Sequence, residues 1–119
     1  MEWIKITDSI KGELGLLANA AGTPDFKNAG CIGKEFDCVG FAIRFITLDD
    51  GKECPNVILF DDDGNSYSTI SAGVYKAICN WRDCGLEPSW EKPVRIRYEQ
   101  VNAGAHRYYT IKVVTKRKT

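Results

Sequence analysis

Residues 36–47, FDCVGFAIRFIT, constrain the fold more than any other part of the chain. Aromatic and β-branched residues fill the run, and these are the types that pack well on a pleated surface. Gly40 interrupts it near the middle, which predicts a bulge or a sharp bend. Asp49-Asp50-Gly51 then reads as a hairpin turn, and residues 57–60 read as the returning strand. Residues 61–65 (DDDGN) make a second turn, with Gly64 at positive φ, and residues 66–70 (SYSTI) resume an extended pattern.

Residues 71–84 form the one strong helix pattern. Ile70, Val74, Ala77, Ile78 and Trp81 recur at helical spacing and give a single apolar stripe. Ser68, Thr69 or Ser71 can cap its start, and Gly85 supplies the left-handed stop. Residues 92–101 alternate, with Val94, Ile96 and Tyr98 on one side and Arg95, Arg97 and Glu99 on the other. A turn at 102–105 leads into residues 106–114, where Tyr109, Ile111 and Val113 oppose Arg107, Tyr108, Thr110 and Lys112. Upstream, residues 3–6 start an alternating run. Residues 13–19 (ELGLLAN) fit a short strand by length and flanking turns, while period alone leaves a helix open. The expected architecture is mainly β: a five-stranded, OB-fold-like barrel with one helix before the final hairpin, an order that SH3-like barrels and α+β sheets share in part.

The chain of 119 residues is the size of one domain. Residues 1–115 are read as that domain, and 116–119 as a short basic tail. Apolar residues make up 44% and charged residues 27%, which excludes a long disordered chain. The uncharged stretch 14–24 falls short of the about 20 apolar residues that cross a bilayer. Glu2, Lys5 and Asp8 break any secretory pattern, so a cytoplasmic, reducing setting is expected. Cys31, Cys38, Cys54, Cys79 and Cys84 are odd in number and lack C-x-x-C spacing, which predicts free thiols, no disulfide and no zinc.

No residue pattern supports catalysis. The one histidine, His106, lies beside a turn with no nucleophile motif around it. The Asp61–Asp63 turn fails as a calcium loop, because Ser66 and Ala72 stand where the loop needs Gly and Glu. No phosphate-binding glycine loop occurs, so no metal or cofactor is expected. The charge is zero overall but divided. Residues 1–91 hold 8 Lys/Arg against 15 Asp/Glu, a balance of −7, and residues 92–119 hold 8 against one, a balance of +7. A basic end suggests a polyanion partner. Basic and aromatic residues also alternate at Arg44-Phe45, Tyr75-Lys76, Trp81-Arg82, Arg97-Tyr98 and Arg107-Tyr108-Tyr109. Single-strand binders need both, because cations hold phosphates and flat rings stack on bases. Trp81, Tyr98 and Tyr109 fall on apolar faces and are expected in the core, while Tyr108 is expected outside.

Asp63-Gly64-x-x-Tyr67-Ser68-x-Ile70-Ser71, followed by a helix, resembles the small single-stranded DNA-binding proteins of protein-primed tailed phages. Ser9-Ile10-Lys11-Gly12-Glu13-Leu14, Phe26-Lys27-Asn28 with Gly33, residues 36–45 and the closing hairpin are similar to that family in the same order. The resemblance implies an OB-fold that coats unpaired DNA during phage replication with little sequence choice. It implies Tyr67 as a base-stacking residue and Phe45 as a second. Five Cys, three Trp and the more basic end depart from the family pattern.

The expected interface therefore comprises Tyr67, Phe45, Arg44, Arg95, Arg97, Arg107, Tyr108 and Lys112. Its expected partners are single-stranded DNA, with RNA left open, and further copies along the strand, with no membrane. The alternative reading is a phage protein-interaction module that inhibits or recruits a host protein through the acidic stretch 49–63.

Overall fold

The computed structural model describes residues 3–22 and 32–115. In chain order they form β1 (Trp3–Ile6), α1 (Asp8–Lys11), α2 (Leu14–Gly22), β2 (Glu35–Thr47), β3 (Glu53–Asp61), β4 (Ser66–Thr69), α3 (Ala72–Asp83), β5 (Val94–Ala103) and β6 (His106–Val113). All six strands join one antiparallel sheet in the order β4-β3-β2-β5-β6, with β1 also on β2. The mainly β expectation holds, and the long strand, its hairpin, the helix and the closing hairpin lie where their patterns predict.

β2 is the hub. Along one edge it pairs with β3 from Cys38 to Thr47. Its other edge is shared, since residues 35–38 pair with β5 and Ala42 to Arg44 pair with β1. The register shifts between Cys38 and Gly40, so the predicted bulge is present. Before it, Phe36 and Cys38 face α3, and after it Phe41 and Ile43 do. Between the two partner strands, the edge at Val39–Phe41 is satisfied by the backbone N–H of Thr7 and by the hydroxyls of Thr7 and Ser9. Thr7 N–H donates to Phe41 O at 3.0 Å. Phe41 N–H donates to Thr7 Oγ1 at 3.1 Å, and Ser9 Oγ donates to Val39 O at 2.6 Å. This brings α1 so close that a Cβ on Gly40 would lie 2.5 Å from Ile10 Cγ1 and from Ser9 Oγ.

Each face of the sheet carries a core. On one, Val74, Ile78 and Trp81 of α3 meet Phe41, Ile43, Val57, Leu59, Ile96 and Ile111. On the other, Ile10, Leu17 and Ala20 of α1 and α2 cover Val39, Ala42, Ile58 and Phe60. Residues 14–22 are thus a helix where length and flanks favour a strand. Leu17 and Ala20, three apart, both reach the core, and helical spacing beats the alternation of Leu14, Leu16 and Ala18. Ser71 caps α3 by accepting from Val74 N–H at 3.4 Å. Gly85 ends it at φ 78°, with Leu86 N–H returning to Trp81 O at 2.8 Å.

The five-stranded barrel does not appear. Six strands make the sheet, and no pairing among the described residues joins its edges, β4 and β6. The start of α3 lies against β6 instead. Ser71 Oγ donates to Tyr109 O at 3.0 Å, and Gly73 abuts the same carbonyl so closely that a Cβ would collide with it. Tyr98 Oη donates to Thr69 Oγ1 at 3.3 Å, tying β5 to the end of β4. The helix cap takes up bonding capacity on β6 that a closing strand would use.

Gly40→Ala is expected to destabilise the protein by about 1–3 kcal/mol, the usual cost of overpacking, read as a lower urea midpoint. An unchanged midpoint would mean that α1 yields without loss and does not fix the bulge.

Candidate nucleic-acid interface

The residues expected to contact a nucleic acid fall into four separate settings. Arg95, Arg97 and Lys112 lie together on the sheet face away from α3, and all three are paired. Antiparallel pairing sets Glu35 opposite Arg97 and Asp37 opposite Arg95. Arg95 lies 3.5 Å from Glu35 and 3.4 Å from Asp37. Arg97 lies 3.1 Å from Glu35 and 3.4 Å from Glu99, and Lys112 lies 3.4 Å from Glu99. Three cations and three carboxylates thus form a neutral ladder across β2, β5 and β6. The hydrogen bond from Arg97 holds the Glu35 carboxyl below the usual carboxylate range. A phosphate here would have to displace these carboxylates.

Arg44 and Phe45 are consecutive on a strand and face opposite ways. Arg44 Nε donates to Asn56 Oδ1 at 2.9 Å, and its guanidinium lies 4.7 Å from the Trp3 ring centre. Asn56 is fully buried and donates onward to Ser68 Oγ at 2.9 Å and Thr69 O at 3.1 Å. Arg44 is therefore half-buried, and desolvation lowers its pKa. Phe45 is half-buried on the α3 side, edge-on to Tyr75 at 5.6 Å.

Tyr67 also lies on the α3 side. Parity from Ile70 predicts an open sheet face for its ring, and the turn into α3 breaks that parity. Its ring stacks on Phe36 at 4.4 Å and 22°, with Lys34 Nζ 4.8 Å from its centre. Its hydroxyl donates to Asp61 Oδ2 at 2.8 Å. Burial first, and then Asp61, raise the phenol pKa. Asp61 in turn accepts from Asp63 N–H, Asn65 N–H and Asn65 Nδ2, so its oxygens organise the turn. The acidic stretch 49–63 is divided between two turns at opposite ends of β3. Eight residue steps at ~3.4 Å put them about 27 Å apart.

Arg107 and Tyr108 occupy the fourth setting. Tyr108 is 44% exposed and borders a cleft of about 360 Å³ between α3 and β6. Gly73, Lys76, Ala77, Asn80, Trp81, Thr110 and Ile111 line the rest of it. Gly73 lets the helix approach Tyr109 O and brings its first turn beside the Tyr108 ring. Lys76 and Arg107 are exposed and have no acidic partner among the described residues. The expected set omits Lys76, although the Tyr75-Lys76 dipeptide and the α3 stripe both place it on the outer face of that helix.

Cys38, Cys54, Cys79 and Cys84 are free thiols, and Cys31 lies outside the described residues. Burial pushes the Cys38 thiol up to about 12. No helix of the described residues is long and apolar enough to cross a membrane. Compared with protein-family models, with curated proteins and with solved structures, the chain matches none.

Three outcomes follow. Tyr67→Ala is expected to cost about 2–3 kcal/mol in urea unfolding, below the about 3–5 for a fully buried aromatic. Loss of under 1 kcal/mol would mean that the Phe36 stack is incidental. Arg97→Ala should return the Glu35 titration toward the ordinary value in a carboxylate NMR titration. Because the folded value is depressed, the pair stabilises above the unfolded carboxylate pKa, and this is lost as pH falls through the folded value. In native protein a thiol reagent should modify exposed Cys84 quickly and Cys38 only on unfolding. Fast modification of Cys38 would contradict its burial.

Proposed function

We propose that the chain binds single-stranded nucleic acid, DNA in the first instance, with little sequence choice. The observation that carries the reading is the exposed Tyr108 ring beside the unpaired cation Lys76 on the α3–β6 cleft, with a second unpaired cation, Arg107, next to Tyr108 along β6. A base can stack on the ring while flanking phosphates meet the cations, and Asn80 and Thr110 supply polar edges. The resemblance to phage single-stranded DNA-binding proteins supports the same class of partner. In this reading the interface is centred on the α3–β6 edge, and the ladder of Arg95, Arg97 and Lys112 keeps the neighbouring strand pairs in register. Tyr67 and Phe45 support the core beneath.

An interaction module working through the acidic stretch would need one continuous acidic face, and the two turns point to opposite ends of β3. Salt separates the readings, since neutralised phosphates release counterions and weaken binding as salt rises. Anisotropy titration of labelled oligo-dT should give a linear fall of log K with log salt. Lys76→Ala with Arg107→Ala should lower the slope by about 0.7 for each lost phosphate contact. Tyr108→Ala should cost about 1–3 kcal/mol of binding at unchanged fold stability. Binding absent even at low salt would overturn the proposal.

A further inference from the structure

Away from the α3–β6 edge, a second cleft of about 370 Å³ is lined by Asp8, Ser9, Glu13, Ser89, Trp90 and Glu91. Trp90 is 40% exposed, which is unusual for the largest aromatic side chain. Its ring is held rather than loose. The indole Nε1–H donates to Ser9 O at 3.4 Å. The turn that carries it is closed by Ser89 N–H on Lys92 O at 3.1 Å and by Lys92 N–H on Ser89 Oγ at 3.0 Å. Glu13 and Glu91 are exposed and have no cationic partner among the described residues, and Asp8 meets only Lys11, at 3.8 Å. An indole face rimmed by carboxylates attracts a cation twice, through the ring quadrupole and through charge.

The chain itself carries a matching segment. Lys116, Arg117 and Lys118 lie outside the described residues and follow the last of these, Thr115. Val114 N–H donates to Arg95 O at 2.8 Å, so the chain leaves the sheet beside the start of β5. Trp90 precedes Arg95 by five residues, at most about 18 Å of extended chain, and the turn at Ser89–Lys92 shortens that path. Lys118 follows Val114 by four residues, at most about 14 Å, with a long side chain beyond.

We propose that the basic residues 116–118 bind the Trp90 cleft of the same molecule, with a Lys or Arg cation over the indole and the carboxylates of Glu13 and Glu91 around it. This would place three of the chain's cations on its own acidic surface. The inference is independent of nucleic-acid binding and is tested without a nucleic acid.

The test compares the full chain with a chain ending at Thr115 by ¹⁵N–¹H NMR at low salt, with the Trp90 indole resonance identified through Trp90→Phe. The full chain should show a distinct Trp90 indole shift that moves to the truncated position on truncation, on addition of salt, or in Glu13→Gln with Glu91→Gln. The shift should not depend on protein concentration. Coincident indole resonances in the full and truncated chains at low salt would overturn the proposal. A shift that grows with protein concentration would overturn it equally, because the occupant would then be a second copy.

Discussion

Where α1 comes down on Gly40, β2 changes neighbours. Before that point the strand's free edge belongs to β5, and after it to β1. The hydroxyls of Thr7 and Ser9 take the backbone groups in between. No side chain fits there, because a Cβ would meet three atoms at 2.5–2.6 Å. The bulge also sets which residues face α3 on either side of it. Both cores and the position of the closing hairpin follow from one residue without a side chain.

The closing hairpin shows how charge and topology interact. Its arginines lie on the solvent side by alternation, and so do Glu35 and Asp37 of the strand it pairs with. Antiparallel register then brings opposite charges together. Exposed pairs of this kind add little stability, on the order of 0–1 kcal/mol each, but they cancel the field of the basic segment on that face. Among the described residues, Lys52, Lys76, Lys92 and Arg107 are exposed cations with no acidic partner, and of these Lys76 lines the cleft beside Tyr108.

The parts legible in sequence were those governed by local rules. The β2 run, the Gly40 bulge, the Ser71 cap, the Gly85 stop and the alternation of β5 and β6 all depend on neighbours in the chain. The parts that were not legible depend on partners distant in sequence. The Glu35 and Asp37 pairing needed the β2–β5 register, and no local feature of Arg95 or Arg97 reports it, although Glu35-Phe36-Asp37 mirrors Arg95-Ile96-Arg97. The helix at 14–22 was hidden because it carries no charge and its leucines also alternate. Tyr67 lies on the α3 side rather than on the open face, because period-two alternation fails where a strand runs into a helix cap. The open sheet was hidden because strand order is the same whether or not its edges meet.

Mapping the surface that an oligo-dT changes distinguishes the α3–β6 edge from the ladder face. Binding at the α3–β6 edge should concentrate NMR shift changes at Gly73, Lys76, Tyr108 and Thr110 and leave the ladder residues Arg95, Arg97 and Lys112 nearly unmoved. Changes centred on the ladder, or on Tyr67 and Lys34, would contradict it.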